Sequence, residues 1–93
     1  MARRENATGD AMHLASTVDD MLSDDYKRRF VAEYRQTLTR FISLENMLRS
    51  WQNGELGFEP SCSRELLDRQ HAAMDAYLSI LEERASVEGV SLL

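Results

Sequence analysis

Residues 23–52 read SDDYKRRFVAEYRQTLTRFISLENMLRSWQ. The stretch holds no proline and no glycine, opens with acids, and repeats an apolar residue every three or four positions, so the spacing predicts one long helix. Ser23 is placed as its N-cap, and Asp24 and Asp25 complement the positive end of the helix dipole. Phe30, Tyr34, Thr37, Phe41, Leu44, Leu48 and Trp51 form a heptad-like seam, which Val31 and Leu38 widen on one side and Met47 on the other. Such width calls for more than one packing partner. Asn53-Gly54 ends the helix, because glycine just past the last periodic residue supplies the left-handed stop.

The next segment, GELGFEPSC, carries two glycines and the chain's single proline, with Leu56 and Phe58 between turn residues. One of these two is expected to tuck over the end of a hairpin. A second helix is expected from about residue 63, after Pro60, to about residue 88, with Gly89 as its stop. Its seam, Leu67, His71, Met74, Leu78, Leu81 and Ala85, has the same period as the first. Beside it runs a second strip, Leu66, Ala73, Tyr77 and Ile80. Val90, Leu92 and Leu93 form an apolar tail that is expected to fold back. Two helices of matching period joined by a short loop read as an antiparallel hairpin.

Upstream of residue 23, Ala11, Leu14, Ala15, Val18, Met21 and Leu22 fall at helical spacing behind Asp10 as N-cap, so a short amphipathic helix is expected there. The division is residues 1–22, an N-terminal extension, and residues 23–93, a hairpin domain with helices at about 23–52 and 63–88 and a loop at 53–62. The fold class is all-α. A two-helix hairpin leaves half of each seam wet, so assembly of hairpins into an oligomeric helical bundle is expected, with the second strips as contact surfaces.

Ninety-three residues, 43% hydrophobic and 29% charged, make one ordinary domain rather than a disordered chain. No stretch approaches the ~18 apolar residues of a membrane span, and Arg3-Arg4 precedes a polar run rather than a signal sequence, so a cytoplasmic protein is expected. The net charge of −5 argues against DNA as a partner. That charge is unevenly spread: residues 23–52 hold Lys27, Arg28, Arg29, Arg35, Arg40 and Arg49 against four acids, whereas residues 53–93 hold three bases against eight acids. An acidic protein therefore carries one basic helix.

Little in the sequence carries catalytic chemistry. Cys62 is the sole cysteine, read as a helix-start or packing residue; His71 falls on a seam far from His13, without metal-ligand spacing; and the adjacent acid pairs Asp19-Asp20 and Glu82-Glu83 point in different directions on a helix. No enzyme activity, metal or cofactor is expected. What remains is DDYKRRF. There Tyr26, Lys27, Arg28 and Arg29 combine an aromatic face, cationic side chains and the N–H groups of a helix start, which is what a phosphate-bearing nucleobase requires. Pairing of the same cations with Asp24, Asp25 or the acidic second helix is the alternative use.

From Met21 onward the chain resembles small helical-hairpin proteins of phages and prophages, through DDYKRRFVAEY, LENML, GELGFEPSCSRELL and QHAAMDAYLSILEERASVEGV, which together span about three quarters of it. In hairpin architecture these are similar to the phage cyclic-nucleotide sponges, the anti-CBASS and anti-Thoeris proteins. The resemblance implies a homo-oligomer, often a hexamer, that works in the bacterial host cytoplasm. There it would sequester a cyclic oligonucleotide or a cyclic ADP-ribose type signal without cleaving it. It assigns no individual residue, so Tyr26, Lys27, Arg28 and Arg29 stand as ligand contacts on their own chemistry. An adaptor that makes protein contacts only is the competing expectation.

Overall fold

The computed structural model describes residues 14–92. A 3-10 turn, Leu14–Thr17, runs into a single α-helical turn, α1 (Val18–Met21), followed by the long helices α2 (Tyr26–Gln52) and α3 (Arg64–Glu88). Among the described residues there is no strand. The two long helices pack against each other, and the N-terminal turn and α1 pack on α2.

The hairpin keeps one antiparallel register along its length. Tyr26 meets Glu88, Phe30 lies under Arg84, Tyr34 meets Glu82, Phe41 and Glu45 meet His71, and Gln52 meets Arg64. The core sits in the half nearest the chain ends. Phe30, Tyr34, Leu38, Phe41 and Ile42 of α2 close on Leu78, Leu81 and Ala85 of α3, with Leu92 folded back against them and Val31, Met74 and Val90 half-buried at the margin. Toward the loop the seam loosens, and Leu44, Met47, Trp51, Leu67 and His71 are all half-buried.

The caps explain the helix bounds. α2 begins at Tyr26 with Asp25 as N-cap, not Ser23: the Asp25 carboxylate accepts the Lys27 N–H at 2.9 Å, and Ser23 Oγ accepts the Asp25 N–H at 3.0 Å. The serine thus holds the capping aspartate instead of capping the helix itself. At the far end Gly54 takes φ 72°, and its N–H and that of Glu55 donate back to Trp51 and Ser50. α3 begins behind Ser63, whose hydroxyl accepts the Leu66 N–H at 3.1 Å, and ends at Gly89 with φ 71°.

Of the loop pair, one of which is expected to tuck in, it is Leu56 that is half-buried, and Phe58 is 58% exposed. Cys62 is exposed in the loop before α3 and packs no core. In the N-terminal segment Leu14, Val18, Met21 and Leu22 all stay exposed, and the buried residue is polar Thr17. Its hydroxyl donates to Leu14 O at 2.7 Å and accepts from Gln36 Nε2 at 2.9 Å, which satisfies the group and locks the segment to α2. Gln36 shares a helix face with buried Ala32 and Thr39, so α1 lies along that second face. The expected cap Asp10, and Ala11, lie outside the described residues.

Candidate functional site

An antiparallel hairpin sets the first turn of α2 beside the last turn of α3, and the tail after Gly89 passes over this end. Here lies a hollow of about 220 Å³ lined by Asp20, Lys27, Arg28, Val31, Gly89, Val90 and Ser91. Two of the four residues singled out from the sequence, Lys27 and Arg28, therefore reach a common cavity. The other two turn away from it. Tyr26 sends its hydroxyl to Glu88 Oε1 at 2.7 Å, and Arg29 donates through Nη1 to Ser23 O at 2.7 Å.

The charges around the hollow are partly committed. Arg28 Nε pairs with Asp20 Oδ1 at 2.8 Å, an exposed bridge worth about 1 kcal/mol or less and so easily exchanged for a stronger anion. Lys27 makes no ion pair or side-chain hydrogen bond among the described residues, which leaves its ammonium as the available cation of the cluster. The helix start contributes less than its sequence promised. Asp25 takes the N–H groups of Lys27, Arg28 and Arg29 through its carboxylate and carbonyl, so these backbone donors are not open to a ligand. Recognition of an anion here falls to side chains.

On the α3 side, Glu88 is held from two directions. It accepts from Tyr26 through Oε1 and from Arg84 Nε through Oε2 at 3.1 Å, and both bonds favour the carboxylate, the tyrosine hydrogen bond most, so its pKa lies below the ordinary glutamate value. The same bond to Glu88, followed by burial, raises the Tyr26 phenol above its usual range. Arg84 also lies over the Phe30 ring, 4.5 Å from its centroid. Tyr26, Glu88, Arg84 and Phe30 thus form a clasp that closes this end of the hairpin. Sequence reading missed Arg84 and Glu88 as members of the site. Pairing the two seams in antiparallel register, which sets residue 88 opposite 26 and 84 opposite 30, is the signal that points to them.

A second hollow, about 330 Å³, lies at the loop end, lined by Glu45, Leu48, Arg49, Gln52, Arg64, Asp68 and His71. Its charges cancel internally. Arg64 bonds Asp68 at 3.1 Å and lies 5.6 Å from the Trp51 ring centroid, Arg49 sits 3.7 Å from Glu45, and His71 Nε2 meets Glu45 at 3.1 Å while stacking on Phe41 at 4.6 Å between centroids. His71 is accordingly a packed seam residue. No group of three or more His, Cys, Asp or Glu side chains suited to a metal ion occurs among the described residues.

The hairpin that carries these residues, 24–87, matches the model of the Sequestin family. The chain belongs to that family. The match takes in Tyr26, Lys27, Arg28 and Arg29 and leaves out the 3-10 turn and α1. The family's name points to a sequestering role, and hence to a bound ligand. No curated protein and no solved structure matches the chain.

Proposed function

We propose that this Sequestin-family hairpin is a phage-encoded immune-evasion protein that binds and sequesters a cyclic nucleotide second messenger of bacterial anti-phage defence, without cleaving it. It would act in the host cytoplasm, where such messengers are made; no described helix is long and apolar enough to cross a membrane. The observation that carries this reading is the meeting of Lys27 and Arg28 in one hollow on the family-matched hairpin, where, among the described residues, Lys27 makes no ion pair and Arg28 pairs with the half-buried Asp20 carboxylate. A messenger phosphate would take the Lys27 ammonium and displace Asp20 from Arg28, gaining charge-assisted bonds. Tyr26 lies outside the hollow with its hydroxyl on Glu88, and its ring, 46% exposed, would meet a base only where the ligand extends beyond the hollow.

A single hollow of about 220 Å³ is smaller than the ~300 Å³ at which ligand pockets begin. A dinucleotide would therefore span hollows of neighbouring subunits, and the hexamer implied by the resemblance to phage sponges is one such assembly. The second reading is an adaptor hairpin. It is favoured by the internal pairing of Tyr26 with Glu88 and of Arg28 with Asp20.

Melting the protein against a panel of cyclic di- and trinucleotides and cyclic ADP-ribose isomers separates the two. A bound messenger at 100 times its dissociation constant adds about 2.7 kcal/mol, a plain rise in Tm, and should return unaltered on chromatography after heat release. Lys27→Ala should weaken it more than Arg40→Ala does, Arg40 being an exposed cation of the same helix away from the hollow. No shift with any member of the panel sinks the sponge reading and leaves the adaptor.

A further inference from the structure

The α3 helix has an apolar face that nothing in the hairpin covers. Leu66 is 48%, Tyr77 41%, Ile80 56% and Val87 83% exposed, and these are all the large hydrophobic residues that α3 leaves in water. Their order is regular. Leu66, Ala73, Ile80 and Val87 recur at seven-residue intervals with Tyr77 beside them, and Arg69, Ala76 and Glu83, three positions after the first three, run along one edge of this apolar strip. This second seam is turned roughly 120° from the one that packs on α2, at 100° per residue. A shallow hollow lined by Leu66, Arg69, Gln70, Ala72 and Ala73 marks its N-terminal half, and the protruding side chains Tyr77 and Ile80 mark its C-terminal half.

We propose that this face pairs with the same face of a second copy of the chain, α3 against α3 in antiparallel orientation, about a two-fold axis passing beside Ala76. Self-complementarity fixes both the partner and the direction. An antiparallel pair centred there sets Leu66 against Val87 of the other copy and Ala73 against Ile80, to within one residue, each contact occurring twice. The knob of one copy thus enters the hollow of the other. The alanines at 72, 73 and 76 let the backbones approach closely at the crossing, as small residues do in close-packed helix pairs.

Charge agrees with shape. Arg69 and Glu83 flank the seam on one side, both are exposed, and neither makes an ion pair among the described residues. They lie seven residues to either side of Ala76, so the two-fold brings Arg69 of each copy to Glu83 of the other. A parallel pairing would instead set each charge against its like. The paired seam runs about 32 Å, long enough for a specific helix–helix interface. This pairing does not depend on the nucleotide reading.

Disulfide trapping in the full chain tests it. In a Cys62→Ser background, Ala76→Cys should cross-link to itself on mild oxidation. Ala73→Cys should cross-link to Ile80→Cys when the two proteins are mixed, and Ser86→Cys, on the far flank, should not cross-link. Light scattering should give the wild type at least twice the chain mass, and Ile80→Glu should lower that mass while far-UV circular dichroism stays helical. Arg69→Glu should weaken association about tenfold, and adding Glu83→Arg should restore it. A wild-type monomer overturns the proposal. So does association that survives Ile80→Glu, or trapping at Ser86→Cys in place of Ala76→Cys.

Discussion

α2 and α3 are nearly equal in length, 27 and 25 residues, yet α2 buries eight residues and α3 three. α2 is covered twice, by α3 on the Phe30–Phe41 seam and by α1 with its preceding turn on the Ala32–Thr39 face. α3 is covered once, and its remaining apolar strip stays in water. Within one hairpin, then, one helix is an internal element and the other a surface. The polar chemistry divides in the same way: α2 supplies the cations Lys27 and Arg28, and α3 supplies the acid that holds Tyr26.

The largest effect should come where the two helices are equivalent. Leu38 of α2 and Leu78 of α3 are both 0% exposed, so Leu38→Ala and Leu78→Ala should each cost about 2–5 kcal/mol in urea unfolding, through lost burial and the cavity left behind. Ile80→Ala, measured on dissociated chains, should change stability by no more than about 0.5 kcal/mol. A large Ile80 effect in such chains would break the comparison, because that face would then be packed within the monomer.

A smaller effect is expected at the bond that joins the helices in mid-core. The Tyr34 hydroxyl donates to Glu82 Oε2 at 2.6 Å from a ring that is fully buried, and Tyr34→Phe should cost about 1–3 kcal/mol in the same unfolding measurement, since it strips a part-buried carboxyl of a hydrogen-bond partner. A neutral result would place the whole join in apolar contact.

The smallest effect belongs to the exposed clasp and is best read as a titration. The folded-state pKa of Glu88 is depressed below 4.5, so its contribution is present at neutral pH and is lost as pH falls through the folded value. For Tyr26, raised above 10.0, the contribution is present below that value and lost as pH climbs through the raised one. Tyr26→Phe should therefore move the Glu88 carboxyl midpoint, followed by NMR, upward toward 4.5. Arg84→Gln should move it the same way, because Arg84 favours the carboxylate both by its hydrogen bond and by its charge. No movement in Tyr26→Phe would mean that the clasp is open in solution.

Much of the scaffold was legible because local rules set it. Phe30, Tyr34, Phe41 and Leu48 are buried as their spacing requires, and Ser63 and Gly89 bound α3 because a hydroxyl cap and a left-handed glycine are needed at those points. The N-terminal segment was misread for an equally physical reason. Periodicity in Leu14, Val18 and Met21 signals an apolar face, but the face that docks is set by Thr17 reaching Gln36, a partner 19 residues away that spacing cannot supply. The start of α2 moved from Ser23 to Asp25 because three consecutive capping residues compete and the choice depends on local geometry.

DDYKRRF was the clearest chemical signal in the chain, and the sequence by itself determined that a basic, aromatic-flanked turn opens the longest helix. Only the tertiary structure decided how its side chains are spent. The antiparallel register carries Glu88 across 62 residues of chain to Tyr26, α1 brings Asp20 to Arg28, and Lys27 keeps its charge available in the hollow. Helical period fixes the direction in which a side chain points, whereas which acceptor it finds depends on distances between segments that only packing sets.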